Sequence, residues 1–585
     1  MITHERFQNF KINFFKTLFI TISFLLIGLI INFFLMLQVP EYHPIIIFDP
    51  DSPLEIERDP ILIQFVRYLI SFFTGDWGNS KTIMSSSTVF ELLRSSVPRM
   101  IEIMIIPLVI GFILGKFLKK VSGRTGQARL KKMFKILGGL GVVTPIFWFG
   151  FYLQKLFIGI LPVNEWDGYT PPLVTGFLIL DSIIAEEWVL SFQIFVYFIL
   201  PTLFLTLLAT ALIGKQMIAK LTTSSQNDSI ISNSLQTSMI FSLFFTYYIL
   251  IDVTFALRGF SYTILNALKF PDFYLIQGCM FIIIIIFVIT TFISNLFFIL
   301  KRPSRLNPTN NIQVDEVKRN FTDNLKDEET QLKKYFLDRA KSPFSIAGAS
   351  IVVFLIIIAI FPQLITPYTL SDITPPSFGG NRYLPPSPEH PLGTAYFGYD
   401  LLALIIWGIR DLLASGGWII AIGLMGGLPF GILASKFNHS NKQIIFIVMS
   451  SFSIFPSIVI TNFMLMISGL NHSVQVFIIG ILLIPMFTRK IANTKPKLIN
   501  ILRELIIYIP CILIFAILLY TSAGFLGFTD YKTPQLGYII HDVYDGWKFL
   551  DRYWAVFWSG LAIFTLIIGL VLIYKGLNSR KCEIV

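Results

Sequence analysis

Apolar residues fill most of this chain in runs of about twenty, the length that a helix needs to cross a bilayer. Such a run crosses lipid as a helix, because lipid offers its backbone no other hydrogen-bond partners. By this criterion the sequence predicts about twelve membrane-spanning helices. They fall into two long apolar parts, residues 1–300 and 343–585. The pattern predicts an all-α polytopic membrane protein.

One long polar stretch, residues 301–342, separates the two apolar parts. It carries 17 of the 81 charged residues, which comprise 46 basic and 35 acidic ones, and it has no apolar run able to span a bilayer. Near its end, Asp327–Lys341 has apolar positions at helical spacing, which predicts an amphipathic helix. We interpret residues 301–342 as a charged cytosolic linker.

The two apolar parts repeat one layout. Each begins with one predicted span, continues with a long polar outer segment (38–98 and 364–411), and ends with five further spans. Duplication of this kind is common in transporters, because it creates a pathway at the interface of two similar halves. We therefore predict two six-helix domains, at 1–300 and 343–585.

Charge in the connecting loops predicts the orientation. Residues 116–135 include eight basic residues and no acid, whereas residues 159–190 include five acids and no lysine or arginine. Because basic loops stay in the cytosol, the first loop is predicted to be cytosolic and the second to face outward. Six crossings in each half place both termini in the cytosol of a multi-pass cell-membrane protein.

The composition agrees with this class and excludes others. The chain is 54% hydrophobic and 14% charged, with a mean hydropathy of +0.71. Its net charge of +11 comes from short loops between spans, so we expect the lipid bilayer, and not nucleic acid, as its partner. Its three cysteines are far apart, and no metal-ligand spacing is present.

No sequence motif predicts catalysis. The chain contains no GxxxxGK[ST] loop for nucleotide phosphates and no HExxH metal motif. We therefore expect no enzyme activity, no metal and no cofactor on this chain, and any ATP would be bound by partner subunits.

A motif near the start of the second part is similar to a known family. HPLGTAYFGYDLLALIIWGIR, residues 390–410, resembles the signature of the second permease subunit of oligopeptide and dipeptide ABC importers. Ala395 and Tyr399 replace an aspartate and an arginine of that signature. SAGFLGF, later in the chain, resembles another landmark of that subunit. The signature is matched at His390, Leu392, Gly393, Thr394, Gly398, Asp400, Gly408 and Arg410. Of these we take Gly393, Thr394, Gly398, Asp400 and Arg410, with Gly527 of SAGFLGF, as structural residues of the family.

The first part resembles the partner permease subunit of the same importers. GDWGNS, VFELLRSSVPRMIEI, TPIFWFG, FILPTLFLTL and DVTFALRGF occur in that subunit's order. Pro145 and Gly259 lie in the third and fifth of these motifs. The chain therefore looks like a fusion of the two permease subunits, and the resemblance implies a type I ABC importer permease-like fold.

The resemblance also implies a function and partners. A permease of this class forms the substrate pathway between its halves, receives substrate from an extracytoplasmic solute-binding protein, and is driven by cytosolic ABC ATPase subunits. Glu102 and Asp252 match acidic positions of the resembled subunit, and a charge within a span is costly unless it faces a partner or water. We take them, with Trp148, as pathway candidates. The alternative for both carboxylates is that they cap helices at the wet membrane edge.

The chain departs from the family at two cytosolic loops. The family has a coupling helix there that docks on the ATPase, but both loops are short in this chain. The candidate ATPase-docking residues are Lys215, Lys220, Arg489, Lys490 and Lys495. One interpretation is a minimal coupling loop that still docks. Another is a decoupled, permease-like protein with a binding, sensing or immunity role, and a third is an ion-driven transporter that uses Asp252.

Overall fold

The fold is given by a computed structural model of the chain. It describes residues 4–39, 60–82, 87–122, 144–158, 160, 171–222, 230–300, 339–374, 381–437, 439–494, 498–545 and 552–578. The described residues form helices and no strand, apart from two isolated β-bridges. The linker residues 301–338, which include most of the predicted helix at Asp327–Lys341, lie outside the described residues.

The first half contains nine described helices. They are α1 (His4–Met36), α2 (Ile61–Thr74), α3 (Val89–Ser122), α4 (Ile146–Phe157), α5 (Leu178–Ile184), α6 (Trp188–Thr222), α7 (Ile230–Thr254), α8 (Phe260–Lys269) and α9 (Phe273–Leu300). The predicted polar loop after Lys215 is in part helical, because α6 continues to Thr222.

The second half contains eight described helices. They are α10 (Pro343–Ile360), α11 (Leu401–Lys436), α12 (His439–Ser451), α13 (Ser457–Ile467), α14 (His472–Ala492), α15 (Leu498–Phe525), α16 (Leu536–Asp545) and α17 (Tyr553–Leu577). Three short 3₁₀ helices lie between α10 and α11.

Within the described residues, ten helices are long and apolar enough to cross a membrane. Five of them lie in each half. This confirms the prediction of an all-α polytopic membrane protein. The sequence predicts about twelve spans, two more than these ten. The described residues have no helix of spanning length in the third predicted span of either half.

The third predicted span of the second half is broken. The sequence predicts one helix near Ile444–Ile467, but the structure has α12 and α13 with a break at residues 452–456. The break ends at Pro456, which has extended backbone (φ −56°, ψ 132°) and caps α13. Proline lacks an N–H and disfavours a helical conformation at the residue before it, so the helix stops there. Pro145 caps α4 in the same way (φ −63°, ψ 100°).

Two helices begin earlier than predicted because polar residues cap them. Thr88 and Glu91 exchange hydrogen bonds with each other's backbone N–H at 3.2 and 3.1 Å, so α3 starts at Val89 inside the predicted outer segment. Asp400 accepts from the N–H of Ala403 at 2.8 Å and caps α11.

The two halves repeat their helix packing. The first helix of each half packs on the last, α1 on α9 and α10 on α17. The second long helix packs on the third, α3 on α6 and α11 on α14. A short helix lies against the last helix in both halves, α8 on α9 and α16 on α17. The repeat of layout read from the sequence is therefore also a repeat of packing.

Candidate transport pathway between the two halves

The two halves meet through their proline-capped helices. Helix α4 of the first half packs on α17 of the second, and α12 and α13 of the second half pack on α7 of the first. Helix α13 also contacts α8, and α12 also contacts α1. Each half thus places helices from its third predicted span on the other half, as expected when two related bundles form one pathway.

Aromatic rings dominate the contact made by α4. Phe147 stacks on Phe525 of α15 with ring centroids 4.9 Å apart and planes 13° apart. Phe151 meets the same ring edge-on, at 5.9 Å. Offset-stacked and edge-to-face pairs are the favourable geometries for such rings. Helix α15 is therefore held to α4 by a small aromatic cluster.

Further along α4, the contact passes to α17. Trp148 packs on Phe564 at 5.4 Å, and Tyr152 packs on Phe557 at 5.5 Å. The ring of Trp148 occupies the space that a side chain at Gly560 would need. We call this contact the aromatic seam. It comprises Phe147, Trp148, Phe151 and Tyr152 on one side, and Phe525, Phe557, Gly560 and Phe564 on the other.

Asp252 caps a helix within its own half. Its carboxylate is buried and accepts hydrogen bonds from the N–H groups of Gly259 at 3.1 Å and Ser261 at 2.9 Å. The hydroxyl of Tyr248 donates a third, at 3.0 Å. Gly259 is the residue that precedes α8, so Asp252 satisfies backbone donors at the α8 N-terminus. These contacts agree with the alternative that Asp252 caps a helix. A pathway role for Asp252 stays a prediction.

Glu102 caps a second helix. Its two carboxylate oxygens accept from the N–H groups of Leu178 at 2.9 Å and Ile179 at 3.0 Å, the first two residues of α5. Trp148 lies at the aromatic seam instead, so the structure does not bring the three predicted pathway residues into one site. A pathway role for Glu102 and for Trp148 stays a prediction.

Asp181 completes the outer end of α5. Burial raises the pKa of its carboxyl, but hydrogen bonds from the backbone and hydroxyl of Thr175 and from the N–H groups of Gly176 and Val174 outweigh this effect and lower the pKa. The N–H of Thr175 donates at 2.7 Å and that of Gly176 at 2.9 Å. A depressed pKa means that ionised Asp181 stabilises this loop.

This gives a pH-dependent prediction for the 174–184 region. Stability from Asp181 is present above the pKa of the unfolded chain, about 3.9 for aspartate, and is lost as pH falls from there through the lower folded pKa. Amide exchange at 174–184 should therefore accelerate below about pH 4 relative to α9. Asp181→Asn should exchange faster at neutral pH and change less with pH. Equal pH profiles for Asp181→Asn and the wild type would contradict this assignment.

Four of the candidate ATPase-docking residues, Lys215, Lys220, Arg489 and Lys490, lie in the C-terminal parts of α6 and α14. The side chains of Lys215 and Lys220, and all of Lys495, lie outside the described part of the chain. Lys490 pairs with Glu504 at 2.8 Å. The guanidinium of Arg489 contacts the sulfur of Met239 at 2.9 Å, across the two halves.

The signature residues of the second half shape the approach to α11. Gly393 has φ +84°, a left-handed conformation that favours glycine. The hydroxyl of Thr394 donates to the carbonyl of Asn381 at 3.0 Å and accepts from the N–H of Leu384 at 2.7 Å. Asp400 pairs with His390 at 3.0 Å besides capping α11.

Four of the remaining signature residues lie at bends or helix ends. Gly398 and Gly527 have positive φ, +77° and +85°, and Pro145 and Gly259 precede α4 and α8. Arg410 lies within α11, and its guanidinium lies 5.2 Å from the ring centre of Trp407. The interpretation of these residues as structural landmarks stays a prediction.

One polar cluster was missed by the sequence interpretation. The hydroxyl of Tyr520 on α15 donates to Asp411 on α11 at 2.6 Å and lies 3.2 Å from a ring nitrogen of His472 at the start of α14. The three residues are far apart in sequence, and only the packing of α11, α14 and α15 brings them together. Asp411 was nonetheless a detectable signal, since it is a carboxylate within an apolar run.

The fold and the aromatic seam define the class of protein to which the chain belongs. The chain is a polytopic helical membrane protein in which two similarly packed halves contact each other through exchanged helices. No family model matches the sequence. Several characterised proteins are nevertheless similar to it.

The similar proteins are permeases of peptide transport systems. A probable D,D-dipeptide transport system permease protein, DdpB of Escherichia coli, is 31% identical over 166 residues, covering 27% of this chain and 48% of that protein. The dipeptide transport system permease protein DppC of Alkalihalophilus pseudofirmus is 25% identical over 273 residues, 42% of this chain and 88% of that protein. The glutathione transport system permease protein GsiD of Pectobacterium atrosepticum is 30% identical over 146 residues, 25% of this chain and 47% of that protein.

These similarities confirm the resemblance read from the motifs. The chain spans about half the length of DdpB and GsiD. It spans most of DppC, and the match to DppC uses less than half of the residues of this chain. A chain of 585 residues therefore has room for two such permeases, as a fused permease of the dipeptide importer type requires.

Proposed function

We propose that this chain is the transmembrane permease component of a peptide-class ABC importer. Its two halves form the substrate pathway between them, and separate cytosolic ATPase subunits drive it. The observation that carries the proposal is the reciprocal packing of α4 on the second half and of α12 and α13 on the first. The permeases of dipeptide and glutathione transport systems that the chain resembles support the substrate class.

The aromatic seam supports a pathway that is closed in this arrangement. Rings of α4 contact α15 and α17 with centroid distances of 4.9 to 5.9 Å, which leaves no room for a peptide along this contact. A substrate passes between the halves only when α4 separates from α15 and α17. Packed interfaces change between discrete arrangements, so this separation requires an input of energy.

That energy comes from partner subunits in this proposal. The sequence lacks a phosphate-binding loop of its own, so ATP is bound by cytosolic ATPase subunits. These dock at the end of the bundle where α6, α7, α14 and α15 meet their short connections. Substrate arrives at the opposite end from an extracytoplasmic solute-binding protein. The charge bias of the loops supports a cell-membrane location with both termini in the cytosol.

A second candidate is a decoupled permease-like protein with a binding, sensing or immunity role. One observation favours it: Lys490 pairs with Glu504 and Arg489 contacts Met239, so two of the predicted docking cations are engaged within the chain. The connection between α14 and α15 is also short, residues 493–497.

Isolation of the intact complex from native membranes distinguishes the two candidates. We expect ATPase subunits to co-purify with the chain, and uptake of a peptide to stop when the phosphate-binding lysine of those ATPases is replaced. A variant of the chain with Lys215, Lys220, Arg489 and Lys490 replaced by alanine should lose the ATPases but remain folded. The decoupled protein would be favoured if the wild-type chain is recovered without any ATPase and deletion of the ATPase leaves the phenotype unchanged.

A further inference from the structure

Three membrane helices bring a carboxylate, an imidazole and a phenol together in the second half. Asp411 lies eleven residues into α11, His472 is the first residue of α14, and Tyr520 lies on α15. Ser415, one turn after Asp411, completes the group with its hydroxyl 3.5 Å from His472 Nε2 and 3.4 Å from the Tyr520 hydroxyl. We call these four residues the Asp411 cluster.

The hydrogen bonds fix the roles of the ring nitrogens in a neutral His472. The Tyr520 hydroxyl gives its proton to Asp411 Oδ2 at 2.6 Å, so its oxygen is left to accept. His472 Nδ1 lies 3.2 Å from that oxygen and therefore carries the hydrogen. His472 Nε2 is then an acceptor, and the Ser415 hydroxyl lies 3.5 Å from it.

This arrangement leaves two acceptors facing each other. His472 Nε2 lies 3.8 Å from Asp411 Oδ1, too far for a hydrogen bond and with no hydrogen between them when the ring is neutral. A nitrogen that donates to both atoms fits between them, because it can lie about 2.9 Å from each. The Ser415 hydroxyl, 3.5 Å from His472 Nε2, supplies a further acceptor oxygen. The cluster therefore offers acceptors for up to three N–H donors around one positive charge.

The open edge of the cluster is polar. The side chains of Asp411 and His472 are 14% and 28% exposed, whereas Ser415 and Tyr520 are buried. Asn471 and Ser473, on either side of His472, are exposed. The edge lies at the end of the bundle that carries the polar segment before α11, which is the end where substrate arrives in the proposed function.

The set of acceptors selects the ligand. Within the described residues, no group of three histidine, cysteine or acidic side chains is placed to hold a metal ion. One carboxylate, one imidazole lone pair and one hydroxyl match the three N–H bonds of a primary ammonium. We propose that the Asp411 cluster binds a primary ammonium group. On the basis of the proposed function, that group is the free amino terminus of a peptide.

Among the described residues, no other charged side chain joins the cluster. On α11, Arg410 is directed to Trp407, and α13 has no charged residue. On α16, His541 lies beside Gly527 and Tyr538. Asp411 is therefore the carboxylate that would pair with the ammonium charge.

The test uses the full purified chain in lipid nanodiscs and needs no ATPase. Calorimetry would compare three probes: L-alanyl-L-alanine, its N-acetyl derivative, which lacks the ammonium, and ethylammonium chloride, which lacks the carboxylate. We expect the dipeptide and ethylammonium to bind and the acetylated dipeptide not to bind. Asp411→Asn keeps the shape and should weaken binding by about tenfold or more, the range for losing a charge-assisted hydrogen bond.

Asp372→Asn is the control, because Asp372 is an exposed carboxylate of the segment between α10 and α11. It should bind like the wild type. His472→Gln keeps an acceptor, so it should bind more tightly than His472→Leu, which has none. Equal binding of the acetylated and free dipeptides, or equal binding by Asp411→Asn, would overturn the proposal. Failure of ATPase co-purification would instead refute the proposed function and leave this test unchanged.

Discussion

Replacing Gly560 by alanine should destabilise the contact between the two halves more than other single-methyl additions. The indole of Trp148 lies where the new methyl group would be placed, and it packs between Tyr152 and Phe564. Because a rigid ring on a packed helix cannot yield at little cost, we expect a loss of about 2–3 kcal/mol in stability. Thermal unfolding of the chain in nanodiscs, followed by the fluorescence of Trp148 and its neighbours, would measure it.

The control and the rescue follow from the same contacts. Gly417→Ala adds a methyl group on α11 where no atom lies within 4 Å, so stability should be unchanged or slightly raised. Trp148→Ala removes the obstructing ring, and Gly560→Ala should then cost much less in that background. A double-mutant cycle that shows additive effects would contradict the direct contact between α4 and α17.

Asp252→Ala should be the most destabilising of the carboxylate substitutions. It removes the acceptor for the N–H groups of Gly259 and Ser261 and for the hydroxyl of Tyr248, all of them buried. Each unpaired buried donor costs about 1–3 kcal/mol, so the total loss is about 3 kcal/mol or more. Unfolding curves and amide exchange at α8 would measure it.

Asp252→Asn separates capping from transport. Asparagine keeps one acceptor oxygen, so part of the stability returns, but the charge is absent. If Asp252 acts as a cap, peptide uptake by Asp252→Asn should follow the amount of folded protein and keep the wild-type pH dependence. Full stability with abolished uptake would contradict the cap and favour the ion-driven mechanism.

Much of the architecture can be predicted from sequence because membrane helices obey a simple length rule. The described residues confirm ten spans by length and hydropathy, and the duplicated layout recurs as duplicated packing. The break at Pro456 is harder to predict, since prolines also lie inside the continuous helices α6, α11, α14 and α15. Local capping by Thr88 and Asp400 likewise starts two helices earlier than hydropathy indicates.

The candidate site is less predictable because it depends on contacts between distant elements. Glu102 and Asp252 can be identified from the sequence as acids within predicted spans. Their hydrogen-bond partners cannot, because the N-terminus of α5 follows Glu102 only after a long interval and the N-terminus of α8 follows Asp252 only after a turn. The Asp411 cluster forms only when α11, α14 and α15 pack together. Sequence reasoning identifies the costly charge, and only the packing shows what stabilises it.

We propose that each half crosses the membrane six times, five times through its long helices and once through its third predicted span, and that the linker lies in the cytosol. Single cysteines at Gln8, Ser304 and Ser371, in a chain whose three cysteines are replaced by serine, would be labelled with a membrane-impermeant maleimide in intact cells and in inside-out vesicles. We predict that Ser371→Cys is labelled only in cells, and that Gln8→Cys and Ser304→Cys are labelled only in inside-out vesicles. Labelling of Ser304→Cys in intact cells would contradict the account.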